Sequence, residues 1–308
     1  MQPVPAVQRV RGLDVVIIGA QKAGTTTLFK YLAEHPQLYM LPEKEAPFFS
    51  RPEYETKGWE WFIEEYFGAA PPDRMWGKAT PQYMCDPRVP TRLHATLPDA
   101  RLIAILRDPV SRAVSHYRML VRRGIETRPF EVAVQAHLDP THLAHARTLP
   151  AGASSEPACV LVWGEYGRIL EAYRAVFPQQ QLHVCFMEDL ARHPLRVFHE
   201  VCRFLEIDDT CIPSNLGQRY HQGGLRQRWP GLRRFFRQET VHNLWHRVPG
   251  RYRRPLTYWF QQWNTVPSSD ESVPLPAPLQ QTLVDFFRPD VARLKHLIQQ
   301  PIPWPSYE

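Results

Sequence analysis

A chain of 308 residues with a hydrophobic share of 44% can bury a large core, as one large α/β domain or two small ones. No apolar run is long enough to span a bilayer, and the opening MQPVPAVQRVRG lacks the apolar stretch of a secretory signal. Five scattered cysteines, Cys85, Cys159, Cys185, Cys202 and Cys211, form no Cys-x-x-Cys pair, so reduced thiols in a cytoplasmic protein are expected. The formal charge of +6 is uneven: ten arginines stand between Arg219 and Arg254 against one acid, Glu239, which leaves the remainder slightly acidic. A basic stretch of this kind suits an acidic glycan, a lipid head-group layer, nucleic acid or another polyanion.

In chain order, residues up to about Gly12 read as a loose arm. The β-branched run Val15 to Ile18 then predicts a buried strand. A turn bounded by Gly19 and Gly24 follows, and Leu28, Tyr31 and Leu32 at helical spacing predict a helix that His35-Pro36 ends. Strand, glycine-bounded turn and helix together form an anion cradle, because the first helical N–H groups have no internal partner and the helix dipole is positive there. In nucleotide triphosphatase loops a lysine directly follows the second glycine. Here Thr25 holds that place and the lysine sits inside the turn at Lys22, giving Gly-x-x-Lys-x-Gly-Thr-Thr. That spelling argues against a standard ATP or GTP site.

Leu38 to Leu41 predicts a short second strand, and the loop Pro42 to Phe49 leaves its carboxyl end, the edge where open parallel sheets bind ligands. On residue type alone, Glu43, Lys44 and Glu45 fit a solvated turn as well as a ligand-facing loop. Lys57 to Phe67 predicts a short helix with an aromatic face. Lys78 stands in a turn-forming context, since Pro81 blocks helix continuation. Arg101 to Leu106 predicts a second buried strand, ending at Arg107, and Asp108-Pro109 is a strong helix start. That helix runs to about Val121, with Ser115 two turns in. An arginine at a strand end and a hydroxyl converging on one edge can hold a phosphate monoester.

From Arg123 to Pro157 the pattern is weak. His137, Asp139, His142 and His145 lie close together, but nothing else there supports a metal site. A helix after Trp163-Gly164-Glu165-Tyr166-Gly167, a strand over Leu182 to Phe186 and amphipathic helices over Pro194 to Leu205 and Leu279 to Ile298 complete the pattern. The glycine pair in Arg219 to Arg226 lets backbone approach a ligand closely. The run from Trp229 to Trp263 reads as a basic lid, an anionic-acceptor surface, a membrane-surface helix pair or a solvated helix face.

Read together, Gly19 to Thr26 and the run L-R-D-P-V-S-R-A-V-S-H-Y ending at Tyr117 resemble the two nucleotide motifs of sulfotransferases that use 3′-phosphoadenosine 5′-phosphosulfate (PAPS). Glu45 followed by two residues and then Phe48-Phe49 resembles the heparan-sulfate-type branch, and the absence of a histidine in Ala79-Thr80-Pro81 points away from the small-phenol branch. The resemblance spans roughly Leu13 to Leu205 and the last helix. It implies an α/β, P-loop-like three-layer fold, a central parallel sheet flanked by helices. The domain would run over 13–308, with 219–275 as a basic, aromatic lid or insertion.

The resemblance further implies a 5′-phosphosulfate loop at Lys22, Ala23, Gly24, Thr25 and Thr26, a 3′-phosphate site at Arg107 and Ser115, and Glu45 as catalytic base. It sets Lys78 beside the acceptor and the transferred group, with Lys22 neutralising charge on the leaving phosphate. Gly224 and Arg226 match the loop that closes over the nucleotide, although the family's Lys-Gly-Arg-like spelling is absent. The implied reaction is transfer of a sulfuryl group from PAPS, without a metal and with PAP as product, to a hydroxyl or amine of a glycan, glycolipid or secondary metabolite. Two other readings stand beside it. A P-loop kinase or other phosphotransferase would explain the cradle, but calls for lysine after Gly24 and a Mg²⁺-holding Asp at a strand end. A nucleic-acid binder would explain the arginines yet leave Lys22, Arg107 and Ser115 unexplained. The expected partner is a small-molecule or carbohydrate acceptor, with no nucleic acid, and with peripheral contact to an anionic membrane surface as a further reading of the basic stretch.

Overall fold

The computed structural model describes residues 11–218, 220, 225–227, 265–267 and 275–308. The apolar run predicted as the first strand is β1 (Val15–Gly19), with all five residues buried. It leads through the glycine-bounded turn into α1 (Thr25–Leu32) and on to β2 (Leu38–Met40). The aromatic segment forms α2 (Glu53–Thr56) and α3 (Gly58–Phe67), and β3 (Met75–Ala79) follows. After α4 (Val89–Thr96) come β4 (Arg101–Leu106) and α5 (Pro109–Arg122).

The weakly patterned stretch contains α6 (Phe130–His137) and α7 (Pro140–Ala146), the latter capped by Asp139 through the His142 amide. Then come α8 (Tyr166–Arg174), β5 (Leu182–Phe186), α9 (Met187–Arg192) and α10 (Pro194–Leu205). A two-stranded antiparallel ribbon pairs β6 (Leu225–Gln227) with β7 (Thr265–Pro267), and α11 (Ala277–Ile298) closes the chain.

The five strands β2-β3-β1-β4-β5 form one parallel sheet in that order. Successive side chains point to opposite faces of a strand, so a sheet covered on both sides needs continuous apolar runs. In β1, Val16 and Ile18 face one core while Val15 and Ile17 face the other, and β4 splits Leu102, Ala104 and Leu106 from Ile103 and Ile105 in the same way. The second core is covered by α1 and α10, whose Val197, Phe198, Val201, Cys202 and Leu205 are buried. The first is covered by α5, α8 and α11. This is the three-layer parallel architecture expected from the sequence. Among the described residues no helix is long and apolar enough to cross a membrane.

The topology decides where a ligand can sit. The connection leaving β1 goes toward β2 over one face, and the connection leaving β4 goes toward β5 over the other. Helices that diverge to opposite faces open a crevice beyond the carboxyl ends of β1 and β4, the switch point where open α/β sheets bind ligands.

On the far side of the first core, α8 and α11 are packed with their backbones nearly touching. The Asp290 carboxylate accepts hydrogen bonds from the Gly167 and Arg168 amides, each 2.8 Å, and so caps α8 from the neighbouring helix. A Cβ at Gly167 would stand 2.5 Å from the Asp290 carbonyl oxygen and 2.9 Å from the Leu294 nitrogen, both backbone atoms. Gly167→Ala should therefore push the two helices apart and cost about 1–3 kcal/mol in a urea melt. A variant as stable as the parent would mean that the contact yields freely.

Candidate functional site

The turn after β1 is tied to the next strand before it becomes helix. The Ala20 amide donates to the Ile105 carbonyl at 2.7 Å, which holds the start of the turn against β4. Lys22 has φ 71° and Gly24 φ 89°, and two left-handed residues in so short a segment fold it back on itself. A side chain is strained in that region, which explains glycine at 24. Gly24 is the residue before α1 and brings no capping side chain, so the amides opening the helix have none to bond to there. Lys22, Gly24, Thr25 and Thr26 all line a cleft of about 910 Å³.

Arg107 and Ser115 line the same cleft. The Arg107 guanidinium donates from Nη1 to the Lys22 carbonyl oxygen at 3.3 Å, so the two anion motifs, 85 residues apart in sequence, meet at one rim. Several bonds fix that corner. The Tyr166 hydroxyl donates to the Arg107 carbonyl at 2.9 Å, the Asp108 amide donates to Glu188 at 3.0 Å, and Asp108 caps α5 through the Ser111 amide at 2.7 Å. Burial lowers the Arg107 pKa from its ordinary high value. Arg112 faces away: fully buried, it donates to the Val160 carbonyl and to Nδ1 of His116.

Glu45 and Lys44 also line the cleft and pair with each other at 3.1 Å, the carboxylate half exposed. The residues after Glu45 are anchored firmly. Phe48 and Phe49 pack into α3, with Phe49 stacked on Trp59 at 5.8 Å and Phe48 against Phe62 at 4.9 Å.

Lys78 differs from the expectation. It lies in β3 rather than in a turn, is fully buried, and is not part of the cleft lining. Its Nζ donates to the Ala46 carbonyl and, at 2.7 Å, to the Tyr83 hydroxyl. The reason is register. Lys78 pairs beside Val16 in the middle of the sheet, so its side chain enters the core beneath the Glu45 loop instead of reaching the rim. Burial holds its ammonium well below the usual lysine range.

Ala23 is buried at the floor of the turn. Gly224 lies outside the described residues, as does most of the arginine-rich stretch, and Arg226 is described only as a β6 position opposite Val266. The chain does return to the cleft at Gly217 and Tyr220, where the Tyr220 amide donates to Thr27 Oγ1 at 3.3 Å. His137 and His142 face each other at 2.9 Å, and His142 Nε2 also lies 2.9 Å from the Ala158 carbonyl.

Sequence reasoning missed the arginines on the cleft side of α5. Arg118, Arg122 and Arg123 line the cleft together with Ser111 and Ser115. Positions 111, 115, 118 and 122 recur at helical spacing, so the stripe was readable once Ser115 had been singled out. These cations crowd Lys22. Its pKa is pushed down to about 8, first by burial and then by Arg122, Arg123 and Arg107, with Glu156 acting the other way.

The sulfotransferase domain family model matches residues 13–219. The chain is 28% identical over 217 residues to a bifunctional heparan sulfate N-deacetylase/N-sulfotransferase of Drosophila melanogaster, covering 65% of this chain and 20% of that protein. It is 26% identical over 202 residues to human heparan sulfate glucosamine 3-O-sulfotransferase 5, covering 65% and 55%. A segment of 111 residues is 38% identical to the membrane-associated sulfotransferase kil1 of Dictyostelium discoideum, covering 35% of this chain and 23% of that one. The chain thus spans between about a fifth and just over half of the length of these relatives. Among solved structures, a sulfotransferase from Alicyclobacillus acidocaldarius superposes with a TM-score of 0.65 at 25% identity, over 95% of this chain and 98% of its own. The chain belongs to the sulfotransferase domain family, the PAPS-dependent sulfotransferases.

Proposed function

We propose that this chain moves a sulfuryl group from PAPS to a hydroxyl or amine of a glycan, glycolipid or secondary metabolite. The observation that carries the reading is the 3.3 Å contact between the Arg107 guanidinium and the Lys22 carbonyl, which brings two anion-binding motifs within one nucleotide's reach. The groups around the cleft fit a doubly phosphorylated adenosine. An uncapped helix start, Lys22, Arg107 and Ser115 line the cleft together, and the volume also has room for an acceptor.

In this scheme the turn amides over 23–26 and Lys22 hold the 5′-phosphosulfate, while Arg107 and Ser115 hold the 3′-phosphate and set register. Bound PAPS supplies an activated sulfuryl group whose bond to the 5′-phosphate oxygen breaks as the bond to the acceptor forms. Glu45 takes the proton that the acceptor loses. Lys22 neutralises the charge growing on the departing phosphate oxygen. Lys78 acts from beneath: with the Tyr83 hydroxyl it holds the Ala46 carbonyl, and so the backbone that carries Glu45. A phosphotransferase reading is weaker, since Thr25 occupies the place of the catalytic-loop lysine.

PAP at a hundredfold excess over its Kd should stabilise the chain by about 2.7 kcal/mol in thermal melts, with ATP giving far less. Arg107→Ala should weaken PAP binding about ten- to hundredfold by calorimetry. Equal stabilisation by ATP and PAP would favour the phosphotransferase.

With labelled PAPS and an acceptor found by screening extracts, Glu45→Gln should lose about 10²- to 10⁴-fold in turnover while PAP affinity holds. A fully active variant would remove the base. Tyr83→Phe deletes a hydroxyl that accepts from the Phe49 amide at 3.2 Å and donates to the Ala46 carbonyl at 3.1 Å. It should cost about 1–3 kcal/mol in urea melts and lower turnover without weakening PAP. Unchanged stability and rate would detach the buried pair from Glu45.

A further inference from the structure

Behind the anion turn lies a buried carboxylate with no part in the scheme above. Glu156 opens the first of two 3-10 turns between α7 and α8 and is 6% exposed. One carboxylate oxygen accepts from Gln21 Nε2 at 2.6 Å, inside the turn itself, and the other accepts from Arg123 Nη1 at 2.7 Å, at the end of α5. A third neighbour is His116 Nε2 at 3.9 Å.

The histidine's proton can be assigned by chemistry. Arg112 has only donors, and its Nη1 lies 3.3 Å from His116 Nδ1, so Nδ1 must present its lone pair and Nε2 must carry the hydrogen toward Glu156. The ring is fully buried and stacked on Trp163 at 5.2 Å, and burial holds it well below the usual imidazole range, so it stays neutral. Glu156 thus has one oxygen on Arg123, while the other, facing the neutral ring, is committed to the turn through Gln21.

We propose that Glu156 is a positioning residue of the nucleotide cradle: its buried carboxylate anchors Gln21 and offsets the arginines around Lys22, so that the lysine meets an anionic ligand in its charged form. The inference rests on reading the turn as that cradle. Among the described residues, the charged groups that act most on Lys22 are Arg107 after β4, Arg122 and Arg123 at the end of α5, and Glu156. Three are cations that favour a neutral amine, and Glu156 is the one anion among them. Removing it leaves the cations unopposed, whereas removing Arg123 takes away one cation and leaves Glu156 with fewer positive partners.

The two substitutions therefore move Lys22 in opposite directions, which a purely structural role would not do. An anion binds the charged lysine best, so the bound lysine titrates higher than the free one. Affinity is then full below the free value of about 8 and falls as pH rises through it.

The test is calorimetric titration of PAP from about pH 6.5 to about pH 9.5. Glu156→Gln should move the alkaline fall in affinity to lower pH, and Arg123→Met should move it to higher pH. Glu156→Asp, which keeps the charge, should restore the wild-type profile. For a displacement of about one unit, the charged fraction of Lys22 at pH 8 falls about fivefold, and PAP affinity with it. Profiles that stay where they are, or that move the same way in both variants, overturn the inference while PAP binding by the wild type still stands. A wild type that binds no PAP at any pH removes the cradle reading and this inference with it.

Discussion

The hydrogen bond from the Ala20 amide to the Ile105 carbonyl, 2.7 Å long, is the joint on which the cleft depends. A turn containing two left-handed residues gains little from its own backbone, and its shape has to be imposed by what it leans on. Seated on β4, it lies one residue away from the point where that strand ends and Arg107 begins. Parallel pairing of β1 with β4 makes this adjacency unavoidable, because both strands release their chains at the same edge. The Arg107–Lys22 contact follows from the sheet order rather than from any attraction between the two motifs.

What the sheet brings together, electrostatics resists. Lys22, Arg107, Arg122 and Arg123 are cations gathered at a partly dehydrated cleft, and both Lys22 and Arg107 titrate lower for being buried there. Such a cluster raises the energy of the empty site and lowers that of an occupied one, since an anion relieves the repulsion. Glu156 moderates the cost from behind the turn. Around Glu45 the design differs: the carboxylate stays half exposed, and rigidity comes from Lys78, Tyr83 and the stacked rings of Phe49 and Trp59 near it.

Strands β1 and β4 and the two anion motifs were readable because their signals are local. Val15 to Ile18 and Arg101 to Leu106 are unbroken apolar runs, and Asp108-Pro109 is a helix start in two letters. The same two letters recur at Asp139-Pro140, where they begin α7, yet the short apolar spacing that follows hid the helix. β3 escaped notice for a different reason. Met75–Ala79 carries a glycine and a lysine, and it is a strand only because β1 and β2 flank it, a tertiary fact that no window of sequence contains. With β3 unread, nothing in the sequence showed that Lys78, set beside the acceptor by the resemblance, stands in mid-sheet. The Gln21–Glu156 contact joins positions 135 residues apart, and Glu156 belongs to no motif, so only coordinates could reveal it.

The central claim is that one nucleotide is gripped at two ends by the turn over 20–24 and by the Arg107 corner. A crystal structure of the chain with PAP tests it directly. The account predicts the 5′-phosphate against the amides opening α1 beside Lys22, and the 3′-phosphate on Arg107 and Ser115. Nucleotide density in any other cleft, or a 3′-phosphate far from Arg107, would contradict it.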